Sequence, residues 1–185
     1  MVGVCHTKFF DGSAALCIIK LQLKQKKRLR KDSMSSVKIY LDNCSYNRPY
    51  DDFSQLTVNL EAQAKLHIQS WIRDGKIDLV TSEMLMAEVD ASPFEVRRKG
   101  ITEFINENSS IHVGPSNIYK VDEMAAEIMS TGVKYKDACH VASAVLAGCD
   151  YLITTDKRLL KYRSEKIRLI NPIQFVDEME EQNNE

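Results

Sequence analysis

No two of the five cysteines, Cys5, Cys17, Cys44, Cys139 and Cys149, form a CxxC pair or stand at the spacing of a zinc site, which argues against both a disulfide framework and a structural zinc. An odd, unpatterned count suits a reducing compartment, so a cytoplasmic location is the expectation. Cys139 and His140 are neighbours, and on a helix they point about 100° apart, a poor ligand pair. Long apolar runs are also missing: none approaches the ~20 residues needed to cross a bilayer. Glycine (seven) and proline (four) are scarce and gather nowhere into a linker, and no segment repeats. Trp71 is the single tryptophan and the tyrosines keep no regular spacing, which leaves little for a module built on base stacking.

What remains is a chain of 185 residues, 44% hydrophobic, enough for one domain with a core of ordinary size. Its formal charge of -1 is unevenly spread. Residues 1–34 hold eight Lys/Arg against two Asp/Glu, and the rest holds 17 against 24. An acidic body of that kind is not marked as a nucleic-acid binder by net charge. In residues 1–33 the basic run KQKKRLRK follows the apolar run, the reverse of a secretory signal. Residues 1–35 therefore read as a basic extension, either an arm for nucleic acid or a disordered tail ahead of Met34. The domain proper is expected over 36–180, with 181–185 a frayed acidic end.

Within the domain, strands and helices alternate. Val37–Leu41, Ile77–Thr81, Ile111–Val113, Tyr151–Thr154 and Ile167–Ile170 have strand character. Leu60, Ala64, Ile68 and Ile72 recur at helical spacing in a segment from Leu56 to Arg73 that Asp74-Gly75 closes. Ser82 is placed to cap a helix through Asp90, and SPFE (92–95) has the form of a capping box opening a helix to about Asn106. Further helices are expected from Ser116 to Thr131-Gly132, from Asp137 to Ala147 with Gly148 as the stop, briefly over Lys157–Leu160, and from NPIQ (171–174) onward. Alternation of this kind predicts an α/β fold with a mainly parallel sheet of 4–5 strands covered on both faces.

In parallel sheets, ligands bind beyond the carboxyl ends of the strands. The first strand ends there on Asp42 and the fourth leads to Asp156. Asp137 opens the helix that returns to that fourth strand. The helix after the second strand brings Glu83 and Glu88 to the same edge. Each acid alone has a plain explanation: a turn at Asp42, a cap at Asp156, a favourable helix-end charge at Asp137. Together they would repel one another, and a divalent cation such as Mg²⁺ or Mn²⁺ resolves that repulsion. The crowding also predicts that Asp42→Asn leaves the metal-free stability unchanged or raises it.

The pattern resembles a PIN domain. IYLDNCSYNRP resembles that family's opening strand and first acid, TSEMLMAE its middle block, and KDACHVASAVLAGCDYLITTDKRLL its closing block. The likeness runs from about Lys38 to Pro172, and NRPYDD with LEAQA is similar to a bacterial subgroup. The resemblance implies a three-layer α/β/α fold and a metal-dependent ribonuclease, often a homodimer, with Mg²⁺ or Mn²⁺ as cofactor. By motif position its acids are Asp42, Glu88, Asp137 and Asp156; strand reasoning alone leaves Glu83 and Glu88 undivided. Asn43 and Ser45 are then candidates to hold water or orient Asp42, Thr155 to hydrogen-bond a carboxylate, and His140 to orient Asp137. The family includes toxins of toxin–antitoxin pairs, so an antitoxin partner is an expectation. It also includes non-catalytic members, and a scaffold that binds RNA or a protein is the alternative.

Arg48, Lys134, Lys136, Lys157 and Arg158 lie near the acids in sequence and are candidates to guide an RNA backbone, against a plain solvated surface. A nucleophilic arrangement of Cys44, His140 and an aspartate is a further enzyme reading.

Overall fold

The computed structural model describes residues 36–183. Residues 1–35, and with them the reading of that stretch as an arm or a tail, lie outside the described residues.

The described strands are β1 (Lys38–Leu41), β2 (Asp78–Ser82), β3 (Ser109–Val113), β4 (Tyr151–Ile153) and β5 (Arg168–Ile170). They form one parallel sheet in the order β3-β2-β1-β4-β5. Ile39, Tyr40, Leu41, Leu79, Val80, Leu152 and Ile153 are fully buried. Consecutive side chains in a strand point to opposite faces, so both faces are covered. The helices are α1 (Asn43–Asn47), α2 (Leu56–Arg73), α3 (Glu83–Asp90), α4 (Glu95–Asn108), α5 (Ile118–Met129), α6 (Tyr135–Leu146) and α7 (Pro172–Asn183).

Chain order assigns the layers. From β1 to β2 to β3 the chain steps one way across the sheet, then crosses back over β1 to reach β4. Right-handed crossovers put the helices of those two journeys on opposite faces. The contacts agree. Trp71 of α2 meets Phe175 of α7 at 6.4 Å between ring centroids, and the Arg73 guanidinium lies 5.2 Å from the ring of Phe104 in α4. Helices α5 and α6 pack together, and α6 presents His140 to Tyr40 on the other face. The expected three-layer α/β/α architecture is the observed one.

Three of the expected stops, Gly75, Gly132 and Gly148, are glycines at positive φ. Gly75 (71°) and Gly148 (68°) follow α2 and α6 and close both in the same way. The amides of Gly75 and Lys76 return to Ile72 and Trp71, and those of Gly148 and Cys149 to Val145 and Ala144. A side chain at either glycine would be strained by that left-handed backbone.

The capping box at Ser92 does not form. The Ser92 amide donates to Val89 at the end of α3, so the residue belongs to the turn closing one helix and α4 starts only at Glu95. The helix expected from Ser116 begins at Ile118, after a 3-10 turn over Pro115–Asn117. The short helix expected over Lys157–Leu160 is a 3-10 turn at Leu159–Lys161. Helix α6 starts at Tyr135, which puts Asp137 inside its first turn. Helix α7 continues to Asn183. Helix α1 has no counterpart in the sequence reading, because five residues are too few to show a period.

Candidate active site

The strand order reverses at β1, which has β2 on one side and β4 on the other. The crevice beyond the carboxyl ends of β1 and β4 is thus the topological switch point of the sheet. A cleft of about 390 Å³ opens there, lined by Asp42, Glu88, Asp137 and Asp156 together with Asn43, Cys44, Asn47, Arg48, Asp51, His140 and Thr155. Five carboxylates line this one cleft: Asp51 is taken up by Arg48, and Asp42, Glu88, Asp137 and Asp156 come from four separate segments. Glu83 does not line it; it pairs with His112 on β3 at 2.8 Å.

Asp42 leaves the sheet as the cap of α1. Its amide completes the β1–β4 ladder by donating to Ile153 at 3.2 Å, and its Oδ1 accepts from the Ser45 amide at 2.9 Å. The Thr154 hydroxyl donates to Oδ2 and the Cys44 thiol sits 2.9 Å from the same oxygen. Only 4% of Asp42 is exposed. The roles expected of its neighbours shift accordingly. Ser45 does orient Asp42, but through its backbone amide; its hydroxyl donates to Ile153 O at 3.0 Å. Asn43 spends its side-chain oxygen on Asn47 at 3.0 Å. Thr155 donates to Cys44 at 3.2 Å and, among the described residues, to no carboxylate.

Thr154 is the residue sequence reasoning missed, and register could have found it. Leu41 pairs with Ile153, so the next residues, Asp42 and Thr154, face each other, and Thr155 points the opposite way.

Glu88, on α3, is held by His140 Nε2 at 3.0 Å and by Lys136 at 3.4 Å. The hydrogen bond from His140 outweighs burial and keeps the Glu88 carboxyl below the usual range, with Lys136 adding to the effect. His140 thus orients Glu88 and not Asp137. Its other ring nitrogen, Nδ1, lies 2.8 Å from the Tyr40 hydroxyl, which in turn lies 2.6 Å from Ser82 Oγ. Tyr40 was also unforeseen, and Ser82 was expected only as the cap of α3, a role it keeps by accepting from the Leu85 amide at 3.3 Å.

Asp137 is half-buried and, among the described residues, has no hydrogen-bond or ion-pair partner. Burial pushes its carboxyl up, and Asp156, Asp42 and Glu88 push it further, against a smaller opposing effect of His140. Asp156 is opposite in character. Burial works to raise it, but the Arg158 side chain and amide hold it below the usual range, with Oδ1 2.7 Å from that amide and Oδ2 3.2 Å from Nη2.

The cysteine-nucleophile reading fails on these contacts. Burial, then the Asp42 charge, push the Cys44 thiol up to about 12, so it is not a thiolate at neutral pH. Both nitrogens of His140 are committed elsewhere.

The candidate cations differ in availability. Arg48 lines the cleft, but Asp51 takes its Nη1 at 3.0 Å and Glu61 stands 2.9 Å from Nε; the latter is an ion pair without a well-directed hydrogen bond. Lys157 is exposed and outside the cleft lining. Arg158 and Lys134 reach a second hollow of about 370 Å³ that shares Asp137 with the cleft and is also lined by Lys161, Tyr162 and Arg163.

As a donor set, four carboxylates suit a small hard cation that prefers oxygen ligands. They are not gathered into a ligand cluster: among the described residues no three His, Cys, Asp or Glu side chains form one. Asp42, Glu88 and Asp156 each hold a protein donor instead. No helix of the described residues is long and apolar enough to cross a membrane.

No family model and no curated protein matches the chain. Among solved structures, it is similar to a chain in the crystal structure of VapBC2 from Rickettsia felis bound to a DNA fragment from their promoter. The identity is 18%, the match covers 73% of this chain and 98% of that one, and the TM-score is 0.44.

Proposed function

We propose that the protein is a PIN-like, metal-dependent ribonuclease that hydrolyses RNA phosphodiester bonds in this cleft. The observation that carries the reading is the meeting of Asp42, Glu88, Asp137 and Asp156 in one cleft at the switch point, with the Asp137 carboxyl raised by burial and by the other three. Mutual repulsion of that kind is what a cation site looks like before the cation neutralises it. These four acids would hold Mg²⁺ or Mn²⁺, which when bound lowers the barrier to water attack at phosphorus by offsetting negative charge on the phosphoryl oxygens. The chain's own residues supply the setting. Thr154, the Ser45 amide and Cys44 fix the Asp42 carboxylate, and His140 fixes Glu88. Arg158, with Lys134, Lys161 and Arg163 in the adjoining hollow, attracts the RNA backbone. Arg48 and Lys157 contribute field more than contact. A cytoplasmic homodimer acting as the toxin of a toxin–antitoxin pair, held in check by an antitoxin protein, is the finer form of the reading; it rests on the resemblance of the three sequence blocks.

One observation favours the alternative, a scaffold that binds RNA or a protein without cleaving. Asp42, Glu88 and Asp156 already have protein donors, and no ready ligand cluster exists among the described residues. Metal binding separates the two. Melting curves with and without Mn²⁺ should show a metal-induced rise in the parent, because a ligand stabilises the state it binds. That rise should be largely lost in Asp42→Asn and in Asp156→Asn. Equal shifts in all three proteins would favour the scaffold.

A further inference from the structure

A line of four buried or half-buried polar side chains runs from the middle of the sheet to the cleft: Ser82, Tyr40, His140 and Glu88. Ser82 closes β2 and caps α3, Tyr40 lies in β1, His140 in α6 and Glu88 in α3. Tyr40 is 0%, Ser82 1% and His140 3% exposed, so solvent cannot stand in for a missing partner, and every proton must find an acceptor inside.

Counting protons fixes the direction of the line. Ser82 Oγ accepts from the Leu85 amide at 3.3 Å, and its only other hydrogen-bond partner among the described residues is Tyr40 at 2.6 Å. The Ser82 hydroxyl hydrogen therefore goes to Tyr40. The phenol has one hydrogen of its own, and it goes to His140 Nδ1 at 2.8 Å. An imidazole that accepts at Nδ1 carries its proton on Nε2, and Nε2 faces Glu88 Oε2 at 3.0 Å. Each donor meets one acceptor. The reverse direction leaves the Ser82 hydrogen without an acceptor. In the neutral ring it also sets the bare Nε2 lone pair against a carboxylate.

We infer that Tyr40 and Ser82 are positioning residues for Glu88: they lock buried His140 in its Nε2–H tautomer, and His140 in turn holds Oε2 of Glu88, while Oε1 faces the exposed Lys136 ammonium at 3.4 Å. Tyr40 and Ser82 touch no cleft-lining carboxylate themselves and act only through His140. The inference rests on the proposed reading for the importance of Glu88, but not for the tautomer. Outer partners that orient a ligand in this way are worth about 10–100-fold in metal affinity or activity.

The test is nitrogen–proton correlation spectroscopy of the imidazoles in the metal-free full chain, with the His140 signals assigned by their loss in His140→Gln. The parent should show His140 protonated at Nε2 and bare at Nδ1. Tyr40→Phe keeps the ring in the core and removes the donor, so its His140 signals should move toward a mixture of tautomers. Ser82→Thr, which keeps the hydroxyl, should preserve the parent pattern. Calorimetric titration with Mn²⁺ should show affinity about 10–100-fold weaker in Tyr40→Phe and near the parent value in Ser82→Thr. A parent spectrum with the proton on Nδ1 overturns the inference without any variant. So does a Tyr40→Phe spectrum identical to the parent. If the parent binds no Mn²⁺ while the spectra behave as expected, the metal reading fails and the tautomer lock stands.

Discussion

Thr154 donates its hydroxyl to Asp42 Oδ2 and accepts the Asp156 amide at 3.0 Å, so one side chain ties two of the cleft acids to the end of the sheet. Thr154 is fully buried. Thr154→Val keeps the shape and leaves both groups short of a partner. A hydrogen bond to a charged group is worth about 1.5–3 kcal/mol, and urea unfolding should show a loss of that size. A loss below ~0.5 kcal/mol would mean that Asp42 does not depend on Thr154.

Asp42→Asn is a different case from the one expected on repulsion alone. Asparagine caps a helix about as well as aspartate, but the neutral amide cannot accept from Thr154, Cys44 and the Ser45 amide as strongly as the carboxylate does. The metal-free variant should be less stable than the parent by about 1 kcal/mol. Equal or greater stability would restore the repulsion account for this position.

The relief of repulsion belongs to Asp137, which lacks a hydrogen-bond or ion-pair partner among the described residues. Its carboxyl is raised by burial first and by Asp156 next, so the folded state holds a proton that the unfolded chain releases. Stability from this group is therefore lost as pH climbs from the ordinary aspartate value, about 3.9, through the raised folded value. Asp137→Asn should melt higher than the parent at pH 7 in EDTA, and the gain should vanish below about pH 3.9. A gain that persists unchanged in acid would assign it to something other than the charge.

Lys65 gives a second pH signature, on the far side of the sheet. It is 3% exposed in α2, and burial, then Arg73, push its amine down to about 7. The unfolded chain keeps the proton up to about pH 10.4, so between those values the unfolded state binds more protons and stability rises with pH. Lys65→Met should flatten that rise and stabilise the protein at pH 7, by about 1–4 kcal/mol if it behaves like other buried charges replaced by apolar groups. Identical slopes for the two proteins between pH 7 and 10 would place the Lys65 amine in water.

Legibility in the sequence followed the physics of each signal. Parallel strands such as Ile39–Leu41 and Leu152–Ile153 are apolar on both faces, and α2 holds its period for 18 residues, so the architecture could be read. The edge carrying the acids follows from that architecture, which pointed to Asp42, Asp137, Asp156 and either Glu83 or Glu88; the family resemblance chose Glu88, which lines the cleft with the other three. Partners were harder. Whether His140 meets Asp137, one turn away, or Glu88, 52 residues away, depends on how α3 packs against α6. The Thr154–Thr155 choice needs the exact β1–β4 register, and Tyr40 looks in sequence like any other core aromatic.

The most direct test of the ribonuclease reading is cleavage of labelled single-stranded and structured RNAs by the purified full chain. Reactions with Mn²⁺, with Mg²⁺ and with EDTA should run beside the Asp42→Asn and Asp156→Asn proteins. The account predicts fragments with either metal, none in EDTA, and at least a 100-fold slower rate for both variants, about 2.7 kcal/mol or more in the barrier. Cleavage that survives EDTA, or that the two variants carry out at the parent rate, would contradict it.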